Sequence, residues 1–183
     1  MDAVAMLKER RSIRKYKDEV VSDEVMDKII DNARFAPSWA NYQIARYHLV
    51  SNPDLLKKIT ERGVGGFAYN IKTLENAKNV AILSFVQGKS GKLDLTKDEY
   101  ATNKANFWEM FDAGIACQTF CLAAYEQGVG TCIFGVIDDK ALAEILDLPK
   151  EETVAAIIVY GYPAEVGAAP SRKSVEEISR KYK

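Results

Sequence analysis

Four basic side chains and one hydroxyl lie within six consecutive positions near the start of the chain, in the segment 10–15 with the sequence RRSIRK. Guanidinium groups bind phosphate oxygens through two parallel hydrogen bonds, and a serine hydroxyl offers a further donor. The wider segment 8–19 holds six basic and three acidic residues, although the whole chain has 25 Lys and Arg against 26 Asp and Glu. This local excess is typical either of a phosphate site or of a solvated basic turn that pairs with Glu9, Asp18 and Glu19.

The segment 37–43, PSWANYQ, combines Ser, Asn and Gln with two aromatic residues, between a predicted helix and a predicted strand. These side chains supply hydrogen-bond donors and acceptors beside rings that can stack on a planar ligand. A helix-terminating turn, in which Ser and Asn bond only to nearby backbone, is the simpler interpretation of this segment alone.

Two other segments could contact a ligand through backbone or basic groups. The stretch 128–135, GVGTCIFG, has its glycines after a helix and before a strand, which disfavours a dinucleotide-binding Rossmann unit. Its backbone N–H groups could still line a flat ligand, and a plain helix-to-strand turn is the alternative. The segment 170–173, PSRK, has a basic pair after a flexible loop, where it could close over an anion or lie in solvent.

The single histidine, His48, excludes zinc sites that need two or more histidines and excludes an HExxH metalloprotease. A Ser-His-Asp triad would have to use His48, which lies in the apolar run 44–50, so a core or edge position on a strand is the better interpretation. Cys117 and Cys121 share one face of a predicted helix, and we expect small buried core residues there rather than a redox pair. The sequence therefore predicts no metal site and no catalytic nucleophile.

Length and charge narrow the class of protein further. The 183 residues predict one domain over 1–183, and the formal net charge of −1 gives no reason to expect nucleic acid or an anionic membrane as a partner. No apolar run reaches the roughly 18–20 residues that span a bilayer. The odd cysteine count and the absence of a recognisable secretory leader indicate a reducing compartment, so we expect a cytoplasmic protein.

Helical and strand periodicities alternate along the chain. They predict helices at 2–9, 22–36, 53–62, 69–77, 104–127 and 138–146, a short capped helix after Ser174, and strands at 45–51, 79–86, 131–134 and 154–160. The nearly continuous apolar run 79–86 indicates a central strand covered on both faces. The helix 104–127 is apolar almost all round, so we expect it at the centre of the fold or between subunits. The segment 87–103 is the least structured and is predicted to be a lid or a partner-contact arm.

Taken together and in this order, the four segments resemble the FMN-dependent nitroreductase family, in particular its shorter members. The matching sequences are RRSIRKY at 10–16, APSWANYQ at 36–43, DAGIACQTFCLAAYEQGVGTCIFG at 112–135, and VYGYP with PSRKS at 159–163 and 170–174. Ile44 departs from the family pattern, which commonly has proline after N-x-Q. Trp39 is also bulkier than the small residue of many members and could wall the pocket over a flavin.

The resemblance implies an α+β fold with a central, mostly antiparallel sheet flanked by helices, and an intertwined homodimer that holds one FMN in each of two interface sites. It assigns the phosphate and ribityl end of FMN to Arg10, Arg11, Ser12 and Arg14, joined by Arg172 and Lys173. It assigns the edge and face of the isoalloxazine, from the other subunit, to Pro37, Ser38, Asn41 and Gln43. It lines the ring near its reactive centre with Thr131, Cys132, Ile133, Phe134 and Gly135. The helix 104–127 is then the dimer helix.

The function implied by the resemblance is an NAD(P)H oxidoreductase. Hydride from NADH or NADPH would pass through flavin N5 to a nitroaromatic, a quinone or a similar flat acceptor, in ping-pong order. The flavin carries the chemistry, so no catalytic side chain is required, in agreement with a chain that has one histidine. A flavin-binding module that stores or senses FMN without turnover is the alternative, and steady-state reduction of an acceptor separates the two.

Overall fold

Four strands form one sheet, and a computed structural model describes it within residues 2–183. The strands are β1 (Ala45–Val50), β2 (Asn79–Val86), β3 (Gly130–Phe134) and β4 (Glu152–Gly161), in the order β1-β2-β4-β3. All three neighbouring pairs are antiparallel. The prediction of a mostly antiparallel α+β arrangement is confirmed.

Seven α-helices flank the sheet in the described residues. They are α1 (Ala3–Glu9), α2 (Asp23–Ala33), α3 (Pro53–Lys58), α4 (Ala68–Leu74), α5 (Phe107–Glu126), α6 (Asp139–Leu146) and α7 (Val175–Ile178). A π-helical turn, Ile59–Gly63, continues α3, and a 3₁₀ turn, Trp39–Asn41, precedes β1. The Asn52 and Asp138 side chains cap α3 and α6 as N-cap acceptors, and Ser174 and Glu177 form the expected capping box of α7.

The sheet divides the core into two layers. On one face, α2 and α5 pack over a cluster that includes Ile29, Leu83 and Phe120. On the other face, the α3 segment and α6 cover a second cluster around Ile82 and Leu142. Strand β2 is buried along nearly its whole length, which confirms the prediction that 79–86 is covered on both faces.

Helix α5 presents an apolar strip to solvent. Phe107, Met110 and Phe111 are 74%, 52% and 58% exposed, and the exposed Gly114 continues the strip along the same side. The opposite side is buried against α2 and the sheet. The helix is apolar almost all round, as predicted, but one chain covers only part of its surface.

The two ends of the sheet differ. Residues 12 and 13 lie beside β3, where Ser12 forms a parallel bridge with Thr131. No strand of residues 2–183 pairs with the outer side of β1. Beyond β4, residues 164–183 are exposed throughout. No helix in the described chain is long and apolar enough to cross a membrane.

Candidate functional site

The basic segment is fastened to the edge of the sheet by Ile13. Its N–H donates to the Thr131 carbonyl at 2.9 Å, and its side chain is 4% exposed. Gly130 makes room for it, because a Cβ at that position would lie 2.4 Å from Ile13 Cγ1. The buried Tyr16 hydroxyl donates to the Ile13 carbonyl at 2.6 Å, and burial raises the pKa of Tyr16. The side chains on either side of Ile13 are therefore carried on a fixed backbone.

The guanidinium groups of Arg10, Arg11 and Arg14 have no carboxylate partner within the described chain. Arg11 and Arg14 donate only to nearby backbone carbonyls. Of the acids that a basic turn would use, Asp18 pairs instead with Lys78 at 2.8 Å. The structure thus favours an anion site over a neutralised basic turn at this segment.

Two cavities lie beside the basic segment. Arg14 faces an open one of about 610 Å³, which Tyr69 and Lys72 of α4 also line. Arg10 and Arg11 line a smaller one of about 130 Å³. A further cavity of about 770 Å³, whose lining includes Asp18 and Lys78, contains none of the predicted site residues.

Strand β3 lies against the basic segment, as the sequence motifs require if both bind one ligand. The side chains of Thr131, Cys132 and Phe134 are buried, whereas Ile133 is 46% exposed and Gly135 is exposed. The Thr131 hydroxyl is buried without a hydrogen-bond partner in the described residues. A ligand at this edge would meet Ile133, Gly135 and backbone rather than the Cys132 or Phe134 side chains.

The loop 37–43 has a strained backbone. Ala40, Asn41 and Gln43 have φ values of 45°, 55° and 49°, a region that residues other than glycine seldom adopt. Ser38 Oγ accepts from the Gln43 N–H at 2.9 Å and closes the loop. Strained backbone of this kind clusters at ligand sites, since only surrounding contacts can maintain it. The loop lines an open cleft of about 410 Å³ under Asp112 of α5.

One chain does not bring the loop 37–43 to the basic segment. The start of β1 lies level with Thr153 of β4, and the Ser12–Thr131 bridge lies level with Tyr160 at the other end of that strand. Seven residues along β4 and four strand spacings across the sheet correspond to a separation on the order of 25–30 Å. The two segments lie at opposite corners of the sheet.

The C-terminal basic pair forms no hydrogen bond or ion pair with the other predicted residues in the described chain. The Arg172 side chain is exposed and donates only to the Pro170 and Ser171 carbonyls, at 3.4 and 3.3 Å. Lys173 is exposed and forms no ion pair with the described residues. Hydrogen bonds therefore join two of the four predicted segments, residues 10–14 and 131–135.

His48 belongs to a polar cluster on the sheet. Its Nε2 lies 2.8 Å from Ser84 Oγ and 2.9 Å from Glu152 Oε2, and Ser84 also donates to Glu152 at 2.5 Å. In a hydrolase triad the carboxylate and the serine contact different ring nitrogens, whereas here both contact Nε2. Ser84 is fully buried. The expectation of an edge histidine without a catalytic role agrees with this geometry.

The three cysteines are free and buried, and burial raises the pKa of the Cys132 thiol. They are core residues, as the sequence predicted for Cys117 and Cys121. No group of three or more metal-ligating side chains occurs in the described chain.

Sequence reasoning missed two buried acids on α5. Asp112 Oδ2 accepts from the Trp39 N–H at 3.0 Å and from the Ser90 hydroxyl at 2.6 Å, and Glu109 accepts from the Gly88 N–H at 2.6 Å. Each of the two acids is 4% exposed. The available signal was their presence, three residues apart, in an otherwise apolar helix.

Comparisons with known proteins agree on one family. The model of the Nitroreductase family matches residues 7–162. The FMN reductase [NAD(P)H] of Bacillus subtilis strain 168 is 30% identical over 187 residues, which cover 97% of this chain and 72% of that protein. The solved FMN-dependent nitroreductase of Clostridium difficile R20291 is 29% identical with a TM-score of 0.74, covering 98% of both chains. A structure from Exiguobacterium sibiricum in complex with FMN has a TM-score of 0.85 at 20% identity, over 100% and 98% of the two chains.

Proposed function

The chain belongs to the nitroreductase family, and on that premise we propose that it transfers electrons from NAD(P)H to a nitroaromatic, quinone or similar flat acceptor. It is a nitroreductase-like flavin oxidoreductase. Its cofactor is FMN, and NADH or NADPH is the electron donor. The acceptor class, the order of binding and the roles of individual residues are our proposal.

The unpaired arginines carry the proposal. A phosphate monoester has a charge near −2, and Arg10, Arg11 and Arg14 supply three cations that no carboxylate of the described chain neutralises. Ser12 adds a hydroxyl donor on the same fixed segment. The donor set therefore fits the phosphate and ribityl end of FMN. Arg172 and Lys173 would join it from the exposed segment 164–183.

The separation of the segments supports a homodimeric site. Residues 10–14 and 37–43 lie at opposite corners of the sheet, so both can contact one FMN if a second copy supplies the loop. The exposed strip of Phe107, Met110 and Phe111 on α5 is an apolar surface of the kind that subunit interfaces cover. We infer that α5 packs against its counterpart in a homodimer and that each site takes residues from both chains.

The protein's part in the reaction is to bind, orient and exclude water. When bound, FMN supplies a group that accepts and donates hydride at N5. Pro37, Ser38, Asn41 and Gln43 would hold the edge and face of its ring, and the strand 131–135 would line the ring through Ile133 and backbone. We propose that donor and acceptor occupy the open face in turn, in ping-pong order. No side chain is assigned a proton transfer.

Absorbance of the purified protein, followed by anaerobic titration with NADH and NADPH, tests this function. We expect a flavin band that either nucleotide bleaches and that a quinone or nitroaromatic acceptor restores. Stoichiometric FMN without bleaching would refute the reductase and leave a flavin-binding module. Protein that binds no FMN would refute both.

The phosphate assignment has its own test. Substituting Arg10→Ala and Arg14→Ala together should weaken FMN binding by several kcal/mol, at roughly 1.5–3 kcal/mol for each charge-assisted bond. Arg62→Ala is the matched control, because Arg62 pairs with Glu144 away from the segment. Equal FMN content in the double variant and the control would contradict the assignment.

The dimer is tested by Phe111→Lys, with Phe35→Lys as control. Phe35 is 72% exposed but does not belong to the α5 strip. Sedimentation should show a dimer for the wild type and the control and a monomer for Phe111→Lys, with loss of bound FMN only in the monomer. A wild-type monomer that binds FMN stoichiometrically would overturn the shared site.

A further inference from the structure

We propose that Asp112 is a positioning residue that holds the loop 37–43 in its ligand-binding conformation, acting through Trp39 and Ser90. The inference rests on the proposed function, in which this loop contacts the flavin ring. Asp112 itself lies beneath the loop on α5 and is not assigned any contact with the cofactor. It would act by tying two other segments, the loop and residue 90 of the segment 87–103, to one carboxylate on α5.

The Asp112 carboxylate joins the loop 37–43 to α5 and to the segment 87–103, which we call the arm. Asp112 Oδ2 accepts from the backbone N–H of Trp39 at 3.0 Å and from the Ser90 hydroxyl at 2.6 Å. Both Asp112 and Ser90 are buried, at 4% and 0% exposure. Hydrogen bonds to a buried charged acceptor are among the stronger ones in proteins, so these two contacts resist local opening.

The arm completes the connection through the Lys92 carbonyl. It accepts from Trp39 Nε1 at 2.7 Å and from the Tyr42 hydroxyl at 3.3 Å, so two side chains of the loop are bonded to one atom. The Trp39 ring packs on Trp108 of α5 with 4.9 Å between ring centroids. The first part of the segment 87–103 is therefore a clamp on the loop rather than a free lid, and Trp39 is held in it.

The clamp supplies the surrounding contacts that the strained backbone of the loop 37–43 needs to keep its conformation. Three residues with positive φ, Ala40, Asn41 and Gln43, persist only where surrounding contacts hold them. If the clamp is released, the loop samples other conformations, and the apparent affinity for a ligand falls by the fraction of molecules that keep the binding conformation. Asp112 would therefore affect binding without touching the ligand.

Glu109 provides a matched control. It lies one turn before Asp112 on α5, is equally buried, and bonds the same arm through the Gly88 N–H at 2.6 Å. It has no hydrogen bond to the loop 37–43. A purely structural role of buried acids on α5 predicts similar effects at both positions, whereas positioning of the loop predicts an effect at Asp112 alone.

The experiment compares Asp112→Ala, Asp112→Asn and Glu109→Ala with the wild type, first without cofactor and then with FMN. The chain has two tryptophans, Trp39 and Trp108, so near-UV circular dichroism and tryptophan fluorescence of the FMN-free protein report on the clamp. FMN affinity is measured by quenching of flavin fluorescence. Asp112→Asn retains an oxygen acceptor and serves as the conservative rescue if Asp112→Ala folds poorly.

We expect Asp112→Ala to change the tryptophan signal and to raise the Kd for FMN about 10- to 100-fold, from the loss of two bonds to a buried carboxylate. Asp112→Asn should recover most of the affinity, and Glu109→Ala should leave the Kd within about twofold of the wild type. An unchanged tryptophan signal, or an unchanged Kd in Asp112→Ala, would overturn the inference. Equal losses at Asp112 and Glu109 would also overturn it. Failure of the wild type to bind FMN would instead refute the proposed function, and with it the role of the clamp in flavin binding.

Discussion

Replacing Gly130 with alanine should displace the basic segment from the sheet. The added Cβ would lie 2.4 Å from Ile13 Cγ1, 2.9 Å from Ile13 Cβ and 2.9 Å from Pro163 Cγ. Carbon atoms in contact prefer separations of about 3.5–4.0 Å, so Ile13 has to move by about 1 Å. Ile13 is also the residue whose N–H bonds the segment to Thr131, so this movement is passed to the arginines on either side.

The expected cost follows from that overlap. Overpacking of a buried position destabilises by about 1–3 kcal/mol, and each kcal/mol lowers the melting temperature of a domain of this size by about 2–4 °C. The variant should therefore melt about 2–12 °C below the wild type. FMN affinity should also fall about tenfold or more, because bonds to phosphate depend on the position of the guanidinium groups.

A double-mutant cycle of Gly130→Ala and Ile13→Ala, followed by thermal unfolding and FMN titration, tests whether the overlap with Ile13 causes these losses. Ile13→Ala alone should cost about 2–5 kcal/mol as a large-to-small core change. In the double variant the shortest overlap is relieved, so the total loss should be about 1–3 kcal/mol smaller than the sum. Gly167→Ala is the control, since its Cβ would meet no atom within 4 Å. Additive losses, or Gly130→Ala melting within a degree of the wild type, would refute the reasoning.

Three smaller effects should also be measurable. Asp138→Ala removes the cap acceptor of the Ala141 N–H, at 2.9 Å, and should cost about 1 kcal/mol in urea unfolding. Ser84→Ala should lower stability by about 1–3 kcal/mol, because Glu152 loses a buried donor, but should leave acceptor turnover unchanged; lost turnover would restore a catalytic role to this cluster. Burial raises the pKa of Glu109 above its ordinary 4.5, so the folded chain binds this proton more tightly than the unfolded chain. The stability of the wild type relative to Glu109→Gln should therefore fall as the pH rises from 4.5 through the raised pKa, and a rise would show the opposite shift.

The elements that the sequence predicts best are those whose burial is uniform. The apolar run 79–86 becomes β2 with the same bounds, because a strand covered on both faces needs apolar side chains at nearly every position. The helix predicted at 104–127 is observed as Phe107–Glu126. The helix predicted to end at Ala36 ends at Ala33, since residues 34–36 form tighter turns before Pro37.

The arrangement of the site could not be read from local patterns. The separation of the loop 37–43 from the basic segment follows from the strand order, and periodicity carries no information about which strand lies beside which. The positive φ values of the loop occur at Ala40 and Gln43, which have no intrinsic preference for them. Asp112 finds its partners in segments about 20 and 70 residues away, so its role depends on tertiary contacts.

The two edges of the sheet differ in how readily they could pair with a strand of another molecule and so begin aggregation. The outer side of β3 is occupied by the basic segment, so β1 is the edge at which a foreign strand could add to the described sheet. Arg46 reduces that risk, since its guanidinium donates to the Gln43 and Ala45 carbonyls at 2.9 and 2.8 Å. Those carbonyls are then already bonded, and a charge lies on the edge itself. Intermolecular β-pairing, and the amyloid-like growth that follows from it, is thereby opposed by one residue on a strand of six.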